Sequence, residues 1–245
     1  MIADLLAEEA ERRGLLSDGQ YGRRKRRSVV NAAAIVVDRA QVAWREGRIA
    51  GILWMDSKAD SPSVGRGRLT HTMRGKGMDG DLIRWTASFV TEQRVEIVIE
   101  PNVMERHPVD ADIPQGSLVS AILFTIYLSG LIKLFEERVS GSKGMSFVDD
   151  FGLMVTGNDL DQVRQKLRNG VRVSINWADR RELLFGTAET EVALFTSTRG
   201  YKNHLTPKVS AKTRDANSLG KFDWNATRCL WAWIDTHTTF KEQHI

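Results

Sequence analysis

The stretch MSFVDDFGLMV, residues 145–155, sets two adjacent carboxylates, Asp149 and Asp150, between two short apolar runs. Each run suits a buried strand better than a helix. Two strands joined at the acids make a tight hairpin. That hairpin constrains the rest of the chain: its strands need a sheet to join, and its acids repel each other and lose solvation unless a cation neutralises them. Hard carboxylate oxygens select magnesium, manganese or calcium. Asp also favours turns, so the pair taken alone equally suits a polar hairpin tip.

A third acid stands in a comparable place. RIAGILWMD, 48–56, is a short apolar run ending in Asp56, and reads as a buried strand with a carboxylate at its end. Two carboxylates from separate strands gripping two ions describe the two-metal arrangement for in-line displacement at phosphorus. Ahead of it, Ser28 is an N-cap for a helix with Val29, Ala33, Val36, Val37, Ala40 and Trp44 on one face, stopped at Gly47. Asp79 caps a helix carrying Leu82, Trp85 and Phe89, and RVEIVIE then alternates Val95, Ile97 and Ile99 with polar residues as a half-buried strand. IPQGSLVSAILFTIYLSGLIKLFEERV opens with turn chemistry and continues as a buried helix. In DLDQVRQKLRNGVRVSINWADRREL, Leu160, Val163, Leu167, Val171 and Trp177 share a helical face. Gly170 interrupts that face at a cost of about 1 kcal/mol relative to alanine. The last fifth reads as loop with one short strand at CLWAWID. Helices mixed with antiparallel-type strands predict the α+β class.

Charge and composition narrow the partners. The net charge is +4 and the pI near 9.3, which suit a polyanion. The run Arg23, Arg24, Lys25, Arg26, Arg27 is a candidate phosphate contact or nuclear localisation signal, although such runs also serve as solvated faces. Cys229 is the one cysteine, so no internal disulfide forms, and MIADLLAEEAERRG carries acids where a secretory leader is basic and then apolar. An intracellular protein, nuclear or cytoplasmic, is expected. No apolar run approaches the roughly 20 residues that span a bilayer, so no membrane partner is expected. His71, His107, His204, His237 and His244 lack zinc-ligand spacing. Trp44, Trp85 and Trp177 fall at apolar helical positions and read as core.

In order along the chain, QYGRRKRRS, ILWMDSKAD, GKGMDGDLIRWTASFVTEQRVEI, IPQGSLVSAILFTIYLSGL and FVDD resemble the reverse transcriptase domain of fungal non-LTR, LINE-type retrotransposons, and more distantly that of group II introns. The resemblance runs from about residue 3 to residue 240. It implies one domain over 1–245, with a fingers portion at about 1–48, an antiparallel palm sheet backed by helices at about 49–195, and a degenerate palm end and primer-grip region at about 196–245. Asp56 and Asp149 would then hold Mg²⁺ (or Mn²⁺), with Asp150 beside them, and Gln115 and Gly116 would lie beside the incoming nucleotide and template. The implied partners are an RNA or DNA template with its primer, and deoxynucleoside triphosphates. The implied reaction is nucleotide addition to a primer 3′-hydroxyl.

Several positions depart from that pattern. Asp60 and Ser61 replace an Ala-Phe pair, Glu189 stands where the family has lysine, and Trp231 stands where it prefers glycine. Ser117 to Ala121 lack the two prolines usual after Pro-Gln-Gly. The resemblance leads to the expectation of a thumb largely absent. These departures imply a truncated, degenerate copy with impaired activity; the alternative is a catalytically inactive relic that still binds nucleic acid.

Overall fold

The chain forms helices α1 (Ile2–Arg12), α2 (Val29–Arg45), α3 (Arg66–Gly75), α4 (Gly80–Phe89), α5 (Leu118–Arg138) and α6 (Leu160–Asp179). Its strands are β1 (Ile49–Ser57), β2 (Arg94–Val95), β3 (Val98–Ile99), β4 (Asn102–Val103), β5 (His107–Pro108), β6 (Lys143–Phe147), β7 (Asp150–Gly157), β8 (Phe185–Phe195), β9 (Ala226–Cys229) and β10 (Ala232–Asp235). The computed structural model describes residues 2–57, 64, 66–91, 94–95, 98–99, 102–103, 107–108, 113–114, 116–148, 150–181, 183, 185–196, 226–229 and 232–235. Within these, only the backbone is described for 56–57, 94–108, 186–189 and 226–235.

The main sheet is antiparallel, in the order β6-β7-β1-β8. This mixture of helices with an antiparallel sheet is the α+β class expected from the sequence. Every residue from Ile49 to Met55 is buried, because helices cover both faces of the sheet. Strand alternation divides the side chains between two cores. Leu53 and Met55, with Phe151, Leu153 and Val155 of β7, pack with α5 and α6. Ala50, Ile52 and Trp54 instead meet Ala32, Ala33, Val36, Ala40 and Ala43 of α2. That alanine stripe lets α2 lie close to the sheet. Ser28 starts the helix with a capping box: its Oγ accepts from Asn31 N at 3.2 Å, and Asn31 Oδ1 accepts from Ser28 N at 2.9 Å.

Helix α5 is buried along most of its length, and its internal hydroxyls are satisfied by its own backbone. Thr125 Oγ1 donates to Ala121 O at 2.8 Å and Ser129 Oγ to Ile126 O at 2.8 Å. By length and composition α5 could cross a membrane, a correction to the sequence reading that no run suffices. In this fold it is instead the core helix between α1 and the sheet, with Leu123, Ile126 and Leu131 fully buried.

Within RVEIVIE, β2 pairs with β5 and β3 pairs with β4, both antiparallel; residues 96, 97 and 100 lie outside the described residues. Two further expectations change. CLWAWID contributes to two strands, β9 and β10, paired antiparallel. The hairpin at the acid pair is present, but Phe147 pairs with Asp150, so Asp150 belongs to β7 and not to the connection. The helices α1 and α3 were not anticipated.

Candidate active site and its basic flank

The antiparallel register sets Asp56 of β1 opposite Asp150 of β7 as Cα partners. Directly opposite positions share one face of a sheet, with Cβ atoms typically about 4.5–5.5 Å apart. Two acids 94 positions apart in sequence are thereby neighbours, within the span one divalent ion bridges. Asp150 is half-buried. Asp149 and Gln115 lie outside the described residues, and the side chain of Asp56 is likewise not described. Among the described residues no cluster of three or more His, Cys, Asp or Glu side chains gathers. Gly116 sits in the turn before α5, whose N-cap Ser117 accepts from Val119 N at 3.2 Å.

The floor behind the two acids is rigid. One step back along each strand's face, Trp54 pairs with Gly152, and a Cβ at Gly152 would fall 2.5 Å from Trp54 Cζ3. Only glycine lets the indole lie against β7 there. On the other side of β1 the register with β8 breaks: Trp54 pairs with Glu191, but Asp56 pairs with Gly186. Such irregularities re-aim a strand at its functional end. Glu189, singled out by the sequence, lies in this interval.

The turn of the acid hairpin is strained. Phe147 and Asp150 pair, leaving two residues between them, and two-residue hairpins need a positive φ at the first of these. Val148 takes that position with φ 57°, a conformation a β-branched residue adopts only when its surroundings impose it. Gly22 packs against this turn so closely that a Cβ on it would sit 2.5 Å from Val148 N.

Gly22 belongs to the segment that carries the basic run. Here the chain runs beside β6 in parallel: Ser146 N donates to Gly19 O at 2.8 Å and Tyr21 N to Ser146 O at 2.8 Å. Gln20 is fully buried; its Nε2 donates to Thr125 O at 2.6 Å, and its Oε1 accepts from Ser17 N at 2.9 Å. The five basic residues then divide. Arg24 is buried, donates to both carboxylate oxygens of Glu11 at 2.6 and 2.7 Å, and also bonds Ser17 O. This contact holds the Glu11 carboxyl below the usual range. Lys25 pairs with Glu8 at 2.8 Å, which raises the lysine's pKa. Arg27 bonds Asp18 O and lies over the Tyr21 ring, 5.4 Å from its centroid. Arg23 and Arg26 are exposed, with φ 57° and 63°. The sequence treated the run as one unit; the partners Glu8, Glu11 and Asp18 that divide it carried no signal of their own.

No family model matches this chain, and no curated protein matches it. Solved structures do. Apo telomerase from Candida tropicalis, truncated from its C-terminal domain, aligns with TM-score 0.61 at 12% identity, over 99% of this chain and 44% of that one. Telomerase from Candida albicans, in complex with the TWJ fragment of telomeric RNA, aligns with TM-score 0.67 at 11% identity, over 99% of this chain and 38% of that one. The chain shares the fold of the aligned part of these telomerases. The chain spans roughly two fifths of the length of these telomerases, and identity this low carries the fold alone.

Proposed function

We propose that this chain is an RNA-directed DNA polymerase domain of non-LTR retrotransposon origin, working in the nucleus or cytoplasm on a primed RNA or DNA template. The observation that carries the reading is the cross-strand pairing of Asp56 with Asp150 beside the Val148 turn, within a fold shared with the aligned part of these telomerases. Residues 1–48 correspond to fingers, 49–195 to the palm, and 196–245 to the degenerate palm end and primer-grip region. The donor set suits Mg²⁺ (or Mn²⁺), being carboxylate oxygens from adjacent strands: Asp56, Asp149 and Asp150 would hold it. Bound Mg²⁺ supplies charge neutralisation to a nucleoside triphosphate and acidifies the primer 3′-hydroxyl. The chain's own share is positioning. Trp54 on Gly152 fixes the level of the acids, the Gly22 contact fixes the turn, and Gln115 with Gly116 would lie beside the incoming nucleotide.

Primer extension on an RNA template with Mg²⁺ tests this. Product from the native chain, lost in Asp150→Ala and in Asp56→Ala, is the expected result; no product from any of the three overturns the polymerase reading. The second reading, a nucleic-acid-binding domain without catalysis, rests on Asp60 and Glu189, acids where the resembled family places alanine and lysine. Extra negative charge beside a triphosphate opposes its binding. RNA binding without extension would select that reading.

A further inference from the structure

Of the five basic residues beside the acid hairpin, three are tied into the protein and two are not. Arg24, Lys25 and Arg27 hold Glu11, Glu8 and Asp18, fastening the segment to α1 and to itself. Arg23 and Arg26 have no side-chain partner among the described residues, and both are exposed. Both also hold a left-handed backbone that non-glycine residues rarely adopt. Arg23 directly follows Gly22, the residue in contact with the Val148 turn. Two solvated arginines without an internal partner among the described residues thus stand on a segment that meets the acid hairpin through Gly22 and is anchored through Gln20, Tyr21 and Arg24.

We infer that Arg23 and Arg26 form a two-point contact for the phosphate backbone of a nucleic-acid strand passing the Asp56–Asp150 site, while Arg24, Lys25 and Arg27 are internal struts that touch no ligand. The inference rests on the nucleic-acid reading above and names which cations meet the strand. Guanidinium groups match phosphate oxygens in two-bond geometry, and free ones give up no internal partner on binding. The ion-paired residues would have to leave their carboxylates first.

The test uses fluorescence anisotropy of the full chain with a single-stranded RNA oligonucleotide, in EDTA, across a salt series. Glycine tolerates positive φ, so the double variant Arg23→Gly/Arg26→Gly keeps or raises the melting temperature, which separates binding from folding. Two lost phosphate contacts reduce the log–log salt slope by about 1.4 and weaken binding at 0.1 M salt by about 25-fold. Lys25→Ala leaves the slope unchanged. The inference is overturned if the native chain does not bind RNA, if the double variant binds with the native slope, or if Lys25→Ala lowers the slope as much as the double variant does. Binding to phosphatidylserine vesicles instead of RNA, lost in the double variant, also overturns it in favour of a membrane surface. Because no metal is present, failure of primer extension leaves this result untouched, and loss of the salt effect leaves extension untouched.

Discussion

At the scale of single residues, the acid hairpin is marked by backbone strain at its turn. Val148 is held at φ 57° by a two-residue connection that a glycine would accept without penalty. Val148→Gly should therefore stabilise the fold by about 1 kcal/mol, seen as a higher urea midpoint at unchanged m-value. The converse change is Gly22→Ala, whose Cβ would land 2.5 Å from Val148 N, where only the backbone can give way. It should destabilise by about 1–3 kcal/mol and lower any primer extension. Neither residue could be found from the sequence, because Phe-Val-Asp-Asp lacks the Asn-Gly type of signal that announces a left-handed turn. Lys76 gives a pH dependence. Burial, with Lys133 and Arg181 nearby, pushes its pKa from 10.5 down to about 8, while its Nζ donates to Ser129 Oγ at 2.6 Å. The folded state thus binds fewer protons than the unfolded state between pH 8 and 10.5, and stability rises with pH across that window. Below it both states are protonated and the dependence vanishes. Partial exposure of the side chain makes the effect smaller than full burial would. Thermal melts from pH 7 to 10, compared with Lys76→Met, would show the rise in the native chain and its absence in the variant.

At the scale of elements, Gly170 shows how periodicity misjudges a helix. Read alone, it is a break in the apolar face of α6 that alanine would repair. In the fold it faces β7, and a Cβ there would fall 1.9 Å from Leu153 Cδ2, in a core where Leu153 is fully buried. Overpacking outweighs the helix-propensity gain of about 1 kcal/mol. Gly170→Ala should lower stability, and pairing it with Leu153→Ala should cost less than the two single losses added together, a positive coupling that a double-mutant cycle reads directly. The same limit applies elsewhere. Helix starts at Ser28 and Asp79 were readable, because capping is local and both side chains accept backbone N–H bonds. The resemblance placed Asp56 with Asp149 and left Asp150 beside them; the register that pairs Asp56 with Asp150 was not readable, since strand order leaves no local trace. The clasp at 17–22 was not readable at all: Gln20 bonds Thr125 across 105 positions.

At the scale of the whole molecule, two cores share one sheet, and the N-terminal segment closes it. Leu6 and Ala10 of α1 are fully buried against the core built on α5, while residues 19–21 cover the edge of β6 that would otherwise offer free N–H and C=O groups. Arg24 links these two roles: just past the clasp, it bonds Glu11 of α1 and Ser17 O. The segment ahead of α2 is therefore structural as well as basic, although the sequence offered only its charge. Removing residues 1–27 should uncover the face of α5 that α1 packs on and take away the partners of the Ser146 backbone, whose N–H and C=O both bond the clasp. Exchanging these hydrogen bonds for water costs about 0.5–1.5 kcal/mol each. The lost burial of Leu6 adds about 1.5–3 kcal/mol, and together these approach the lower end of an ordinary domain's stability. The shortened chain should lose its cooperative urea transition, followed by tryptophan fluorescence. A midpoint equal to that of the full chain would show that the sheet holds its edge unaided, and the N-terminal segment would then owe its place to the basic pair alone.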